Sequence, residues 1–294
     1  RHIGADADVP AGDIGVGTRE IGFLFGQYMR LSNQYEGAMT GKGLAYGGSA
    51  IREEATGYGA VYFLDSMLER RDESLAGKRI AISGAGNVAL FAAERAIRDG
   101  GKVVTLSDSS GFVRCEDGLD EERLSTIKRV KLDERGSLRQ LGEDLTGVEY
   151  EEGAKPWGVP CDVAMPCATQ NELNGEDAKA LLANGVEAIV EGANMPSTDA
   201  AIELFRGAGV LFAPGKAANA GGVTVSGFER SQNSLRMRWE RDDVDSRLRE
   251  IMRYIHEKCF AEMERDGGGL DYADADNRAS FRRVADAMVA QGLS

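Results

Sequence analysis

The stretch Ile80-Ala81-Ile82-Ser83-Gly84-Ala85-Gly86-Asn87-Val88-Ala89 governs how the rest of the chain is read. An apolar run of strand length turns through two glycines into a helical pattern, Val88–Arg98, giving G-x-G-x-x-A at a strand-to-helix corner. Gly84 permits the tight turn, Gly86 lets a diphosphate approach the backbone, and the small Ala89 lets helix and strand pack closely. The first amides of the helix, Asn87 and Val88 among them, would then face the anion at the positive end of the helix dipole. The alternative is a tight turn that holds no ligand; the strand–turn–helix setting favours the nucleotide.

Outward from this corner, short apolar runs alternate with helical patterns. The runs are Arg79–Ser83, Val103–Ser107, Asp162–Met165, Ala188–Glu191 and Val210–Ala213; the helical patterns are Val88–Arg98, Asp120–Val130, Gly175–Leu182 and Ser197–Arg206. Such alternation predicts an α/β fold, a doubly wound, mostly parallel Rossmann-like sheet covered on both faces. The charged stretch from Lys131 to Trp157 reads as a connection with a short hairpin or helix. Before the sheet, Ile21, Leu24, Phe25 and Tyr28 share one face of a helix over Glu20–Leu31, and a second helix is expected over Ala55–Arg70. After it, Val244, Leu248, Ile251, Met252, Ile255, Cys259 and Met263 form a helical stripe ended by Gly267-Gly268-Gly269, a candidate linker. A last helix, Arg278–Ala290, is expected to bury Phe281, Val284, Ala285 and Met288.

Composition limits the partners. Of the 294 residues, 35 are basic and 48 acidic, a formal net charge of −13, which disfavours nucleic acid and anionic membranes. No stretch approaches a membrane span. Cys115, Cys161, Cys167 and Cys259 form no C-x-x-C pair and the only histidines are His2 and His256, so no metal is expected and the thiols read as reduced, in a cytoplasmic protein.

Two further segments carry chemistry. Asp108 lies 24 positions beyond Gly84, where an acid would bond the adenosine ribose; alone it suggests NAD, because it repels a 2′-phosphate. Ser109, Ser110 and the cations Lys128, Arg129 and Lys131 pull towards a phosphate, or are simply a solvated helix end. Near the start, Asp8-Val9-Pro10-Ala11-Gly12-Asp13-Ile14-Gly15-Val16-Gly17 surrounds one aspartate with glycines. That suits a backbone holding a carboxylate against a ligand, although composition alone favours a plain turn.

Several motifs together resemble the glutamate dehydrogenases, within the Glu/Leu/Phe/Val dehydrogenase family: DVPAGDIGVGTREIGFLFGQY, GKGLAYGGSAIREEATGYG, ISGAGNVA, SDSSG, MPCATQNEL, VEGANMP and PGKAANAGGVTVSGFERSQN, in the family's order from Asp8 to Asn233. The resemblance implies reversible reductive amination of 2-oxoglutarate with ammonia to L-glutamate, with NADP(H) as the hydride carrier. It implies Asp13 as the proton-transfer carboxylate, Ala11 and Gly12 against the substrate, and Ser226 on the substrate's side-chain carboxylate. For the cofactor it implies Arg52 and Thr56 near the nicotinamide, Asn87 in the phosphate turn, Ala168, Thr169 and Asn194 along the cleft, and Ser109 and Lys131 at the 2′-phosphate.

The family pattern also includes a lysine-rich N-terminal region that grips both substrate carboxylates. The chain begins Arg1-His2-Ile3-Gly4, which reads as a cut end. It is therefore expected to be a C-terminal portion that binds NADP(H) but turns over little by itself. Residues 1–47 are expected to end a substrate domain, 48–270 to form the dinucleotide-binding domain, and 271–294 to return to the substrate domain. The full-length protein is expected to be a homohexamer. The competing readings are a leucine, phenylalanine or valine dehydrogenase, which Ser226 argues against, and a catalytically silent NADP-binding module.

Overall fold

The alternation expected from residue 79 onward is present in the computed structural model, which describes residues 2–13, 15–265, 267 and 271–292. Strands β1 (Arg79–Ile82), β2 (Lys102–Asp108), β3 (Gly111–Arg114), β4 (Glu149–Glu152), β5 (Val163–Met165), β6 (Ala188–Val190) and β7 (Leu211–Ala213) form one sheet in the order β4-β3-β2-β1-β5-β6-β7. β2, β1, β5, β6 and β7 are mutually parallel, while β3 and β4 pair antiparallel at one edge. The chain leaves β2 for that edge and re-enters on the far side of β1. The switch therefore falls between β1 and β5, and the crevice at their carboxyl ends is where open α/β sheets take ligands.

Burial on both faces explains why the central strands are continuous apolar runs. Ile80, Ile82, Val103, Leu106, Val163, Met165 and Val190 are fully buried. On the flanks lie α3 (Asn87–Arg98), α4 (Glu121–Lys128), the short α5 (Leu141–Asp144), α6 (Gly175–Ala183), α7 (Asp199–Ala208), α8 (Gly215–Ala218), α9 (Gly221–Leu235), α10 (Arg241–Arg265) and α11 (Tyr272–Gln291). Before the sheet come α1 (Thr18–Ser32) and α2 (Ala55–Glu69). α2 is buried almost all round because it is wedged between α3, α9 and α10. A Cβ at Gly57 would stand 2.4 Å from the Ala92 nitrogen, and one at Gly59 would stand 2.9 Å from the Gly221 Cα.

Four expectations need correction. Gly111-Phe112-Val113-Arg114 is a strand absent from the expected runs, and its Phe112 and Val113 close the sheet edge over β2. The 131–157 connection contains both β4 and short helical turns. Leu24 is half exposed although its neighbours Ile21 and Phe25 are buried: the satellite core of α1 is small, with Met39 as its other buried member among the described residues. The last helix begins six residues earlier than expected and does not bury the expected face. Tyr272 and Ala275 are buried, whereas Phe281, Val284 and Met288 are 75%, 59% and 51% exposed. The triple-glycine linker falls partly outside the described residues, at Gly268 and Gly269.

Candidate active site

At the switch point a cleft of about 540 Å³ opens between Gly84–Gly86, Asp108–Ser109 and Cys167–Thr169. Gly84 holds φ at 87°, and a Cβ there would stand 2.9 Å from the Cys167 carbonyl oxygen. Its N–H donates to Ser107 Oγ at 2.8 Å, which ties the turn to the end of β2. Gly86 differs: nothing lies within 4 Å of its would-be Cβ, and it is exposed. Gly86 caps α3 without a side chain, so the first amides of that helix are left for a ligand. Ala89 is fully buried, as close helix–strand packing requires.

Asp108 does not stand free to meet a ribose. Its carboxylate accepts from Ser110 N (3.0 Å) and Oγ (2.6 Å), Leu138 N (2.9 Å) and Lys131 Nζ (3.0 Å). Burial works against its charge, but the Leu138 and Ser110 donors and Lys131 outweigh it and hold the carboxyl well below the usual range. It is therefore an ionised acid neutralised in place. Lys131 Nζ also donates to the Gly136 carbonyl at 2.8 Å, so two of its three protons are used and one remains. Ser109 is exposed at the cleft. Of the three cations read near this position, only Lys131 lines the cleft: Lys128 is paired with Glu94 over the Phe91 ring, and Arg129 with Glu134.

A second group of residues gathers on α9. Ser226 is nearly buried, and its Oγ accepts from Arg52 Nε at 2.8 Å and from Thr40 Oγ1 at 3.0 Å. Both lone pairs being occupied, the Ser226 proton is left to donate. The Arg52 guanidinium has no ion-pair partner within 4 Å among the described residues, and burial lowers its pKa despite the field of Glu229. Thr56 lies against the same helix: a Cβ at Gly222 would stand 2.4 Å from its hydroxyl. Arg52 and Thr56 thus join the Ser226 group, not the lining of the cleft.

The aspartate segment is tied to this group through Thr40. Ala11 bridges to Thr40, whose N–H donates to the Pro10 carbonyl at 2.9 Å and whose hydroxyl meets Ser226. Gly12 is required by a tight turn, since a Cβ there would lie 2.3 Å from the Val16 carbonyl oxygen. Asp13 follows with its side chain exposed, and its carbonyl accepts Val16 N–H at 2.8 Å. A glycine turn at the cleft, a hydroxyl–guanidinium pair on α9 and an exposed carboxylate on the segment tied to it through Thr40 are thus the site's chemical groups. A family model for glutamate/leucine/phenylalanine/valine dehydrogenases matches residues 47–292.

The chain belongs to that family.

Among its relatives in this dehydrogenase family, it is 53% identical over 293 residues to a glutamate dehydrogenase of Bacteroides thetaiotaomicron, and 52% identical over 293 residues to an NADP-specific glutamate dehydrogenase of Escherichia coli. Both matches take in 100% of this chain, but only 66% and 65% of those proteins. A crystal structure of Plasmodium falciparum glutamate dehydrogenase superposes with a TM-score of 0.97 at 43% identity, over 100% of this chain and 63% of that one. The chain thus spans about two thirds of the length of the relatives it matches.

Gly84, Gly86, Asp108, Ser109, Lys131, Ala168 and Thr169 all line the cleft, whereas Asn87, Val88 and Asn194 stand outside that lining. Asn194 is exposed and accepts from Asn219 Nδ2 at 2.7 Å. Four participants were not singled out from the sequence: Thr40, Lys42, Glu172 and Glu229. Lys42 and Glu229 form a buried ion pair at 2.6 Å, each side chain 1% exposed, and Glu229 also accepts Gly41 N–H at 2.9 Å. Nothing local marks them, since they are 187 positions apart and each looks like an ordinary surface charge.

Proposed function

We propose that the chain serves an NADP(H)-dependent oxidoreductase that interconverts 2-oxoglutarate plus ammonia with L-glutamate. The observation that carries this reading is the Ser226 site. A hydroxyl left with only its proton to give, beside a guanidinium without an ion-pair partner, suits a carboxylate at the end of the substrate side chain. A leucine, phenylalanine or valine side chain would leave those polar groups unpaired, at a cost that selects against it. The names of the Bacteroides and Escherichia relatives support the same choice.

NADP(H) is assigned to the cleft at β1 and β5. Gly84, Gly86, Asn87 and Val88 would take the diphosphate, with Ala168, Thr169 and Asn194 along its course and Thr56 towards the nicotinamide. Ser109 and the spare proton of Lys131 would take the 2′-phosphate, while Asp108, already engaged, orients Lys131. The cofactor when bound supplies or accepts the hydride. Ala11 and Gly12 would border the substrate, and Asp13 would move the proton to and from its nitrogen; its exposed carboxylate is accessible for that role.

The small separate core of Ile21, Phe25 and Met39 supports reading residues 1–47 as the end of a substrate domain, with 48–270 as the dinucleotide domain. The exposed apolar stripe of α11 supports reading 271–294 as a segment that returns to the substrate domain. Four buried, unpaired cysteines support a reducing, cytoplasmic setting. A homohexamer is the proposed assembly, in keeping with a hetero-hexameric glutamate dehydrogenase of Thermus thermophilus that is 26% identical. Among the described residues no helix is long and apolar enough to cross a membrane.

The test is a titration of NADPH fluorescence with this chain, followed by assays of the full-length protein with 2-oxoglutarate and ammonia against the keto acids of leucine, phenylalanine and valine. Saturable NADPH binding with 2-oxoglutarate as the preferred substrate supports the proposal. Preference for an apolar keto acid overturns the substrate, and binding without any turnover supports a silent module instead.

A further inference from the structure

The dinucleotide cleft carries a carboxylate that no phosphate-binding turn requires. Glu172 lines the cleft with Gly84, Gly86 and Ala168, and its Oε1 accepts the Ala168 N–H at 2.9 Å. The loop it closes, 167–171, leaves β5 and ends at Asn171 in the left-handed region, φ 56°, with Asn171 N–H donating to the Met195 carbonyl at 3.0 Å. We propose that Glu172 is a positioning residue for the bound dinucleotide: it fixes loop 167–171 against the cleft and, by bringing a titratable negative charge to a site for a polyanion, sets how cofactor affinity varies with pH. This rests on the reading of the cleft as an NADP(H) site.

The groups around it define the charge balance. Ser83 at the end of β1 and the amides of Ala168 and Thr169 favour the carboxylate, as does Lys155, which also donates to the Glu172 carbonyl at 2.7 Å and pairs with Asp177. Glu191, at the end of β6, experiences Glu172 as a like charge, and so does the buried Cys167 thiol. Glu191 is committed elsewhere, accepting Gly215 N–H at 2.7 Å and Ser197 N–H at 3.2 Å. Burial is the largest influence on Glu172 and leaves its carboxyl above the ordinary carboxylate range. Phosphates arriving beside it favour the protonated form still more. Cofactor affinity is therefore greatest at low pH and falls as pH rises through that carboxyl's pKa.

The experiment measures NADPH dissociation constants of the full chain from mildly acidic to mildly alkaline pH, in wild type, Glu172→Gln and Glu172→Ala. Glu172→Gln keeps an oxygen for the Ala168 N–H and removes the charge. It should bind about five-fold tighter than wild type at the alkaline end, the effect of one unit charge several ångströms away in a partly solvated cleft, with the gap closing at the acid end. Glu172→Ala loses the acceptor as well and should bind more weakly than Glu172→Gln throughout. Titration of the 2′-phosphate is common to all three proteins and cancels in the ratios. If Glu172→Gln follows wild type at every pH while both bind NADPH, the proposal is overturned and the cofactor reading stands. If wild type binds no NADPH at any pH, both fall.

Discussion

Gly84 and Gly86 stand two residues apart and are constrained by different things. Gly84→Ala forces a side chain into a left-handed backbone against the Cys167 carbonyl, so it should lower stability by about 1–3 kcal/mol, readable as a drop in melting temperature. Gly86→Val meets only open space and should leave the melting temperature almost unchanged, yet abolish NADPH binding by occupying the path of the diphosphate. An equal loss of stability in both variants would refute the distinction. At the far end of the cleft, Lys131→Ala should weaken NADPH by about 1–3 kcal/mol and spare NADH, measured as paired dissociation constants. The sequence showed both glycines and the lysine, but not the state of Asp108. An acid at that position argues for NAD when read along the chain, and only its bonds to Lys131, Ser110 and Leu138 show it neutralised.

The join between the 37–48 segment and α9 is made at the level of elements. Lys42 and Glu229 are buried together, so removing either charge strands the other. Lys42→Met or Glu229→Leu alone should cost about 3–5 kcal/mol in urea unfolding, whereas the double replacement should cost far less. Additive losses in the double variant would count against the pair. α11 shows the opposite case. Its apolar spacing was legible and its helix formed, but periodicity states only that a face exists, not what covers it. Phe281→Ala should accordingly shift the melting temperature little, since that ring is 75% exposed, in contrast to a fully buried ring such as Phe63. β3 was missed for the complementary reason, because four residues from glycine to arginine are too few to display a period.

For the molecule as a whole, the acid limb of stability has an identifiable contributor. His256, on α10, is buried against α2 and α11, with Nε2 at 3.0 Å from the Tyr272 hydroxyl, and burial, aided by Arg70, lowers its pKa to about 4. Between about 4 and the ordinary value of 6.5 the unfolded chain binds the proton and the folded chain does not. This contribution is therefore complete above the ordinary value and is lost as pH falls towards 4, amounting to about 3 kcal/mol. Melting temperatures of wild type and His256→Gln across that range should converge at acid pH; parallel curves would count against this assignment.

The sequence by itself determined the parallel sheet, its nucleotide corner and the family, because those depend on local signals: apolar runs of strand length, a glycine turn leading into a helix, and motifs in fixed order. The tertiary structure alone decided which charges are spent and which are available. Asp108 with Lys131, Lys42 with Glu229, and Arg52 with Ser226 are separated by 23, 187 and 174 positions, and side-chain electrostatics depends on distance through space.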